Sequence, residues 1–316
     1  MAFTAFRGMN AFSQLLMALF VIMVSVMGVM VIAVLLAIPV LGFDRLIGVL
    51  SEANLYDEGS IMVLKYIQTV QSVGMFVLPP LLIGWLFEGD FRRYLSMDRP
   101  ISGRMSALAV VGLVLAIPAI AFIGYLNQVI SFPTWLAEVE GWMRGMEEQA
   151  EIVIERFMDV QTTGGLLFNL LMIAVIPAIG EEFLFRGVIQ QIFTKMTRNY
   201  HWGIWISAFL FSALHLQFFG FVPRLLLGAL FGYFLVYSGS IWVPVLVHFI
   251  NNAMGVLAMY FGSEPKSQFE QLIDPDFSNG FLGYIPLVVI SLMCSVAILW
   301  YMKSQSKSLD CVRGIE

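Results

Sequence analysis

Charge is scarce in this chain of 316 residues: only 12% are Asp, Glu, Lys or Arg, about half the share of a soluble domain. So few charges cannot clothe a water-facing surface. Cysteines number two, Cys294 and Cys311. Two thiols build neither a disulfide framework nor a cysteine-rich zinc cluster, so they read as unpaired. The terminal Cys311-Val312-Arg313-Gly314-Ile315-Glu316 is not a prenylation box. No basic stripe exists, and with a net charge of -5 the chain has nothing to neutralise a phosphate backbone, so no nucleic acid is expected as a partner. Long-period repeats and low-complexity linkers are missing as well.

What is abundant is apolar surface. Apolar residues make up 59% of the chain and the mean hydropathy is +0.85. Reading apolar runs of about 20 residues as spans gives eight: 15–41, 61–87, 107–127, 166–190, 202–218, 221–237, 241–261 and 280–301. The fifth and sixth are separated only by Phe219 and Gly220, which implies a tight or partly re-entrant turn. The first is too long for a signal-peptide core and lacks a small-x-small cleavage site, so it stays a membrane helix. The expected fold is all-α, a polytopic membrane helix bundle of about eight transmembrane helices, forming one membrane domain over 1–316.

Lys and Arg set the orientation. Arg92, Arg93, Arg99 and Arg104 lie in one loop, Lys195 and Arg198 in another, and Lys303, Lys307 and Arg313 in the tail. They alternate with acidic loops at 44–60, 131–165 and 262–279. The positive-inside rule then puts both termini in the cytoplasm. Within 131–164, Trp135, Leu136, Val139, Trp142, Met143 and Met146 recur at helical spacing among acidic residues. That pattern predicts an extracytoplasmic amphipathic helix at the membrane surface, with its acidic face solvated. Lys65, Gln68, Asn127 and Gln128 sit near span ends and need no function. The compact loops point to a prokaryotic plasma membrane.

Against this background one run stands out, Pro177-Ala178-Ile179-Gly180-Glu181-Glu182-Phe183-Leu184-Phe185-Arg186-Gly187. Each ionisable residue near the centre of a span costs about 2.5 to 3.5 kcal/mol on insertion scales, so three together ask for a function. Glu182 and Arg186 are four apart and share a helix face, whereas Glu181 lies about 100° round. Glu182 is thus the ion-pair member and Glu181 the candidate chemist. Pro177, one turn before Glu181, frees a carbonyl that neighbours must satisfy.

Two of the three histidines also fall inside expected spans. His215 follows Phe211 by one turn, and His248 precedes Asn252 by one turn. Counted from the cytoplasmic ends at 1.5 Å per residue, Glu181 is roughly 14 Å deep, His248 roughly 12 Å, Asn252 roughly 18 Å and His215 roughly 21 Å. These depths define one polar layer in the inner half of the membrane. A carboxylate among apolar side chains is a stronger base than one in water, which suits Glu181 to activating water. Imidazole and amide N–H groups suit a developing oxyanion. A Glu with two His could instead ligate zinc, through Glu181, His215 and His248, although the H-E-x-x-H spacing is absent.

Glu181-Glu182-x-x-x-Arg186, Phe211-x-x-x-His215 and His248-x-x-x-Asn252, in that order on successive membrane helices, resemble the CAAX protease and bacteriocin-processing family of intramembrane endopeptidases. That family includes the type 2 CAAX prenyl endopeptidases and lysostaphin-resistance-like proteins. The resemblance covers 165–261, the expected catalytic core. It implies that Glu181 activates water together with His215, that His248 and Asn252 stabilise the oxyanion, and that Glu182, Arg186 and Phe211 support them. It further implies a membrane-associated peptide or protein substrate, lipidated if the likeness extends that far, and either a metal-free glutamate mechanism or a metallo-endopeptidase with zinc. Two other classes compete: a non-catalytic scaffold or immunity-type protein, and an ion-coupled transporter. Transporters of this kind carry paired broken helices in two related halves, and here each polar motif occurs once.

Overall fold

The computed structural model describes residues 6–51, 54–262 and 281–306. Cys311, Lys307, Arg313 and most of the acidic 262–279 loop lie outside them. Helices follow one another as α1 (Ala11–Leu41), α2 (Phe43–Ser51), α3 (Glu58–Glu88), the single turn α4 (Phe91–Tyr94), α5 (Gly103–Gln128) and α6 (Ala137–Met158). Then come α7 (Thr163–Thr197), α8 (Tyr200–Ala213), α9 (Phe221–Ser238), α10 (Trp242–Phe261) and α11 (Phe281–Gln305). No strand occurs among the described residues.

Seven of these helices, α1, α3, α5, α7, α9, α10 and α11, are long and apolar enough to cross a bilayer, and the chain is an integral membrane helix bundle. The fifth expected span is the correction. Its helix, α8, has 14 residues, about 21 Å of rise against a hydrocarbon core of roughly 30 Å. It stops at Ala213 because the chain reverses there: Leu216 takes a left-handed φ of 53° and Ser212 Oγ donates to Phe221 O at 2.7 Å. His215 therefore sits in a turn rather than inside a helix.

Local signals at the helix starts are simple. Asn10, Asp57, Thr162 and Asn199 each accept a backbone N–H of the first turn they precede, satisfying donors that a helix start leaves unpaired. Less ordinary are three π-helical stretches, Val73–Val77 in α3 and Leu170–Val175 and Glu182–Ile189 in α7. Two of them end two residues before a proline, Pro79 and Pro177 respectively. Proline has no N–H and its ring crowds the preceding turn, and a widened turn accommodates both. The carbonyls left over are taken by neighbouring helices: Ser25 Oγ of α1 donates to Gly74 O at 2.8 Å, and Asn252 Nδ2 of α10 donates to Ile173 O at 3.1 Å.

The second half of α7 is the axis of the bundle. Every residue from Glu182 to Gln190 is buried. Phe183, Phe185, Val188 and Ile192 pack into one cluster with Ala18 of α1, Ile83 and Phe87 of α3, Phe211 of α8 and Val245 of α10. A second cluster joins α5, α8, α9 and α10 around Phe231 and Phe234. By contrast α1 exposes Leu35, Leu36 and Val40 among many apolar side chains, a face for acyl chains rather than water.

Helix α6 is amphipathic and caps the loop between α8 and α9. Trp142 packs on Phe218 at 5.2 Å between centroids, Arg144 lies over the Phe219 ring at 4.4 Å, and Glu147 Oε2 accepts from the Phe219 N–H at 3.2 Å. Its first turn is tied down by Glu140, whose carboxyl the Phe132 N–H and then Arg144 hold below the usual carboxylate range.

Candidate active site

Glu182 and Arg186 occupy the wide turn of α7, where they are completely enclosed, at 0% and 1% exposure. Their ion pair spans 2.9 Å from Arg186 Nη1 to Glu182 Oε1. The guanidinium also donates from Nη2 to Gly228 O of α9 at 3.0 Å and lies against the rings of Phe211 (4.7 Å) and Phe231 (5.5 Å). Glycine at 228 permits the approach of α9 to α8, since a Cβ there would sit 3.1 Å from Ala208 Cβ. A buried charge is tolerable only with such partners, and here Glu182 Oε2 is still left without a hydrogen bond.

Glu182 Oε1 also receives His248, whose Nδ1 lies 2.8 Å away. Beside an ion-paired carboxylate that nitrogen carries a proton and donates it. The other ring nitrogen, Nε2, faces Glu181 Oε2 across 3.7 Å. His248 is thus set between the two adjacent glutamates, one gripping the ring and the other facing its free edge. Phe211 and Phe231 flank it, with ring centroids at 6.1 and 5.3 Å.

Glu181 is placed by the residue before it. A Cβ on Gly180 would stand 2.7 Å from Phe76 Cβ and 3.1 Å from the Phe76 carbonyl carbon, so α3 and α7 touch backbone to backbone at this level. Asn252 joins through Ile173 O, and it accepts from Asn251 Nδ2 at 3.2 Å. Its amide has two N–H groups, of which the Ile173 contact uses one.

His215 is the outlier. No hydrogen bond or ion pair joins it to Glu181 among the described residues; it reaches the cluster through Phe211, 5.0 Å between ring centroids. Its Nδ1 contacts Phe211 O at 2.8 Å, the carbonyl that α8 leaves unpaired as it ends, so the ring caps the helix from an exposed turn.

Arg224 was not foreseen from the sequence. It opens α9, bonds Gln217 Oε1 at 2.7 Å through Nη2, and lies in electrostatic range of both Glu181 and Glu147. A cation at the start of a membrane helix directly after a tight turn was the available signal.

A zinc centre from Glu181, His215 and His248 does not fit this arrangement. Among the described residues no three His, Cys, Asp or Glu side chains stand close enough to share an ion, and Glu182 spends Oε1 on Arg186 and His248.

With that geometry in view, the comparisons bear on the same stretch. Residues 163–254 match the family profile described as type II CAAX prenyl endopeptidase Rce1-like. This motif-bearing segment belongs to the CAAX protease and bacteriocin-processing family. It runs from the start of α7 into α10 and includes each residue of the three motifs. YpbD, an uncharacterized protein of Bacillus subtilis (strain 168), is 24% identical over 110 residues, which cover 34% of this chain. The chain spans about half the length of that relative, 53%. An uncharacterized 24.3 kDa protein of Escherichia coli is 24% identical over 176 residues, 53% of this chain and 71% of its own. No solved structure matches significantly.

Proposed function

We propose that this CAAX-family protein is an intramembrane endopeptidase that hydrolyses a peptide bond of a membrane-associated protein or peptide, in a polar cavity open toward the cytoplasm. The single observation that carries the reading is Glu181 Oε2 facing His248 Nε2 across 3.7 Å, while the far side of the ring is gripped by Glu182. A gap of that size is too long for a hydrogen bond and admits a water within reach of both atoms.

In the reaction, Glu181 takes a proton from that water as its oxygen attacks the peptide carbonyl carbon. The oxyanion that forms is met by His248 Nε2–H and by the second Asn252 N–H. When the C–N bond breaks, Glu181 returns the proton to the leaving nitrogen. For His248 to donate from Nε2 while Nδ1 donates to Glu182, the ring is an imidazolium. Two carboxylates then balance two cations, Arg186 and His248, so the buried cluster carries no net charge. His215, in the exposed turn that ends α8, takes its place at the water or the substrate edge of the cavity. The loop cations Arg92, Arg93, Arg99 and Arg104 favour a cytoplasmic side for their loop, and on this reading the scissile bond lies in the inner half of the membrane.

The test is comparative membrane proteomics of cells carrying wild type or Glu181→Gln. Peptides ending at new C-termini should disappear in the variant, and cleavage of a substrate so found should fall about 10²- to 10⁴-fold in detergent. Full cleavage by folded Glu181→Gln overturns the reading.

A further inference from the structure

Away from the polar cluster, a cavity of about 860 Å³ opens between α1, α3, α6 and the start of α7. Ligand pockets span roughly 300 to 1,000 Å³ and are mostly apolar with a few placed polar groups, and this one has that make-up. Leu36 and Val40 of α1, Met62 of α3 and Phe168 of α7 form its apolar wall. Leu36 is 67% exposed, Val40 82% and Met62 60%, so the groove opens sideways on the face that meets acyl chains.

Four charges line the same pocket: Glu58, Lys65, Arg156 and Asp159. No two of them form an ion pair within 4.0 Å, and Asp159 acts on Lys65 only across a longer electrostatic range. Lys65 lies two turns into α3, roughly 10 Å along its axis from Glu58. Its Nζ donates to Asn169 Oδ1 at 3.0 Å, which uses one of three N–H groups. Asn169 is itself fixed, because its Nδ2 donates to Phe157 O at 2.8 Å. Arg156 stacks over the Tyr56 ring at 4.8 Å and donates no hydrogen bond among the described residues. Two cations with donors to spare and two carboxylates in one sideways-open groove match a ligand that carries both signs and long tails.

We infer that this groove binds one zwitterionic phospholipid from the bilayer, its phosphate on Lys65 and Arg156, its ammonium on Glu58 and Asp159, and its chains along Leu36, Val40, Met62 and Phe168. An anionic lipid would bring its phosphate to the two cations but find two carboxylates beside it with nothing to neutralise them. A lipid without a charged headgroup would leave four charges unanswered. Asn169 precedes Glu181 by twelve residues on α7, roughly 18 Å, so the site is separate from the polar cluster and stands whether or not that cluster cleaves peptides.

Native mass spectrometry of the purified full chain tests this by titration with palmitoyl-oleoyl phosphatidylethanolamine, the matching phosphatidylglycerol and the matching diacylglycerol. Wild type should hold phosphatidylethanolamine about tenfold more tightly than either of the others, the worth of one or two headgroup contacts. Arg156→Met, at a partly buried position with no hydrogen bond to lose among the described residues, should weaken it about tenfold, and Lys65→Met at least as much. Asp159→Asn should move the preference toward phosphatidylglycerol. Glu181→Gln should bind lipid as wild type does. Equal retention of phosphatidylethanolamine by wild type and Arg156→Met, diacylglycerol binding as tight as phosphatidylethanolamine, or a preference of wild type for phosphatidylglycerol each overturns the assignment.

Discussion

Replacing Arg186 by methionine isolates the interaction on which the centre of the bundle rests. The side chain is 1% exposed and so keeps no access to solvent, and its loss leaves Glu182, 0% exposed, with only His248 to answer its charge. Breaking a buried pair by removing one partner costs about 3 to 5 kcal/mol, because the remaining charge is stranded. For a chain of this size a kcal/mol corresponds to about 2 °C, so the midpoint of thermal unfolding in detergent should fall by roughly 6 to 10 °C. The decisive variant is the double one. Arg186→Met with Glu182→Leu removes both charges and replaces them by side chains of similar bulk, an exchange that is often close to neutral or stabilising. It should recover part of the lost stability, the buried His248 Nδ1–H being left without its acceptor, and should stay inactive for the same reason. A single variant as stable as wild type, or a double variant less stable than the single, would refute the reasoning.

Asn252→Ala should cost about 1 to 3 kcal/mol by stranding the Ile173 carbonyl. Adding Pro177→Ala supplies a backbone N–H one turn away and should restore thermal stability but not peptide cleavage, whereas a fully active double variant would remove Asn252 from the reaction. Gly180→Ala puts a Cβ 2.7 Å from Phe76 Cβ, an overpacking of about 1 to 3 kcal/mol. The protein should still fold, with cleavage reduced at least about tenfold as α3 and α7 part and Glu181 leaves His248; unchanged cleavage would show that Glu181 does not depend on that contact.

Much of this bundle could be read from the chain because a bilayer makes length and hydropathy decisive. Seven of eight apolar stretches became helices of spanning length, with ends within a few residues of expectation except that α7 runs on to Thr197, and the one that did not was the stretch whose far end runs into Phe219-Gly220. The Glu182–Arg186 pair was legible from spacing alone, and so was the need for a partner at the carbonyl freed by Pro177. Depth counting brought Glu181 and His248 to one layer. It could not say which glutamate takes which ring nitrogen, because that depends on rotation about α7, and helical-wheel arithmetic assumes 3.6 residues per turn where this helix is wider. His215 escaped for a different reason: the residues after Ala213 are as apolar as those before, so nothing in hydropathy marks where α8 ends. Arg224 was passed over as part of a turn.

The widened turns ahead of Pro177 and Pro79 also govern what lengths the chain tolerates. A π-turn holds one residue more than the α-turn it replaces, so a deletion within 170–175 need not leave a gap: the helix can rewind to ordinary pitch. The half of α7 that follows would keep its phase, because the residue removed is the one the wide turn had absorbed, and Glu181 would still face His248. Homologues one residue shorter in this segment would therefore keep the same centre on an ordinary helix, whereas a length change that no wide turn absorbs would rotate Glu181 by about 100° per residue away from His248.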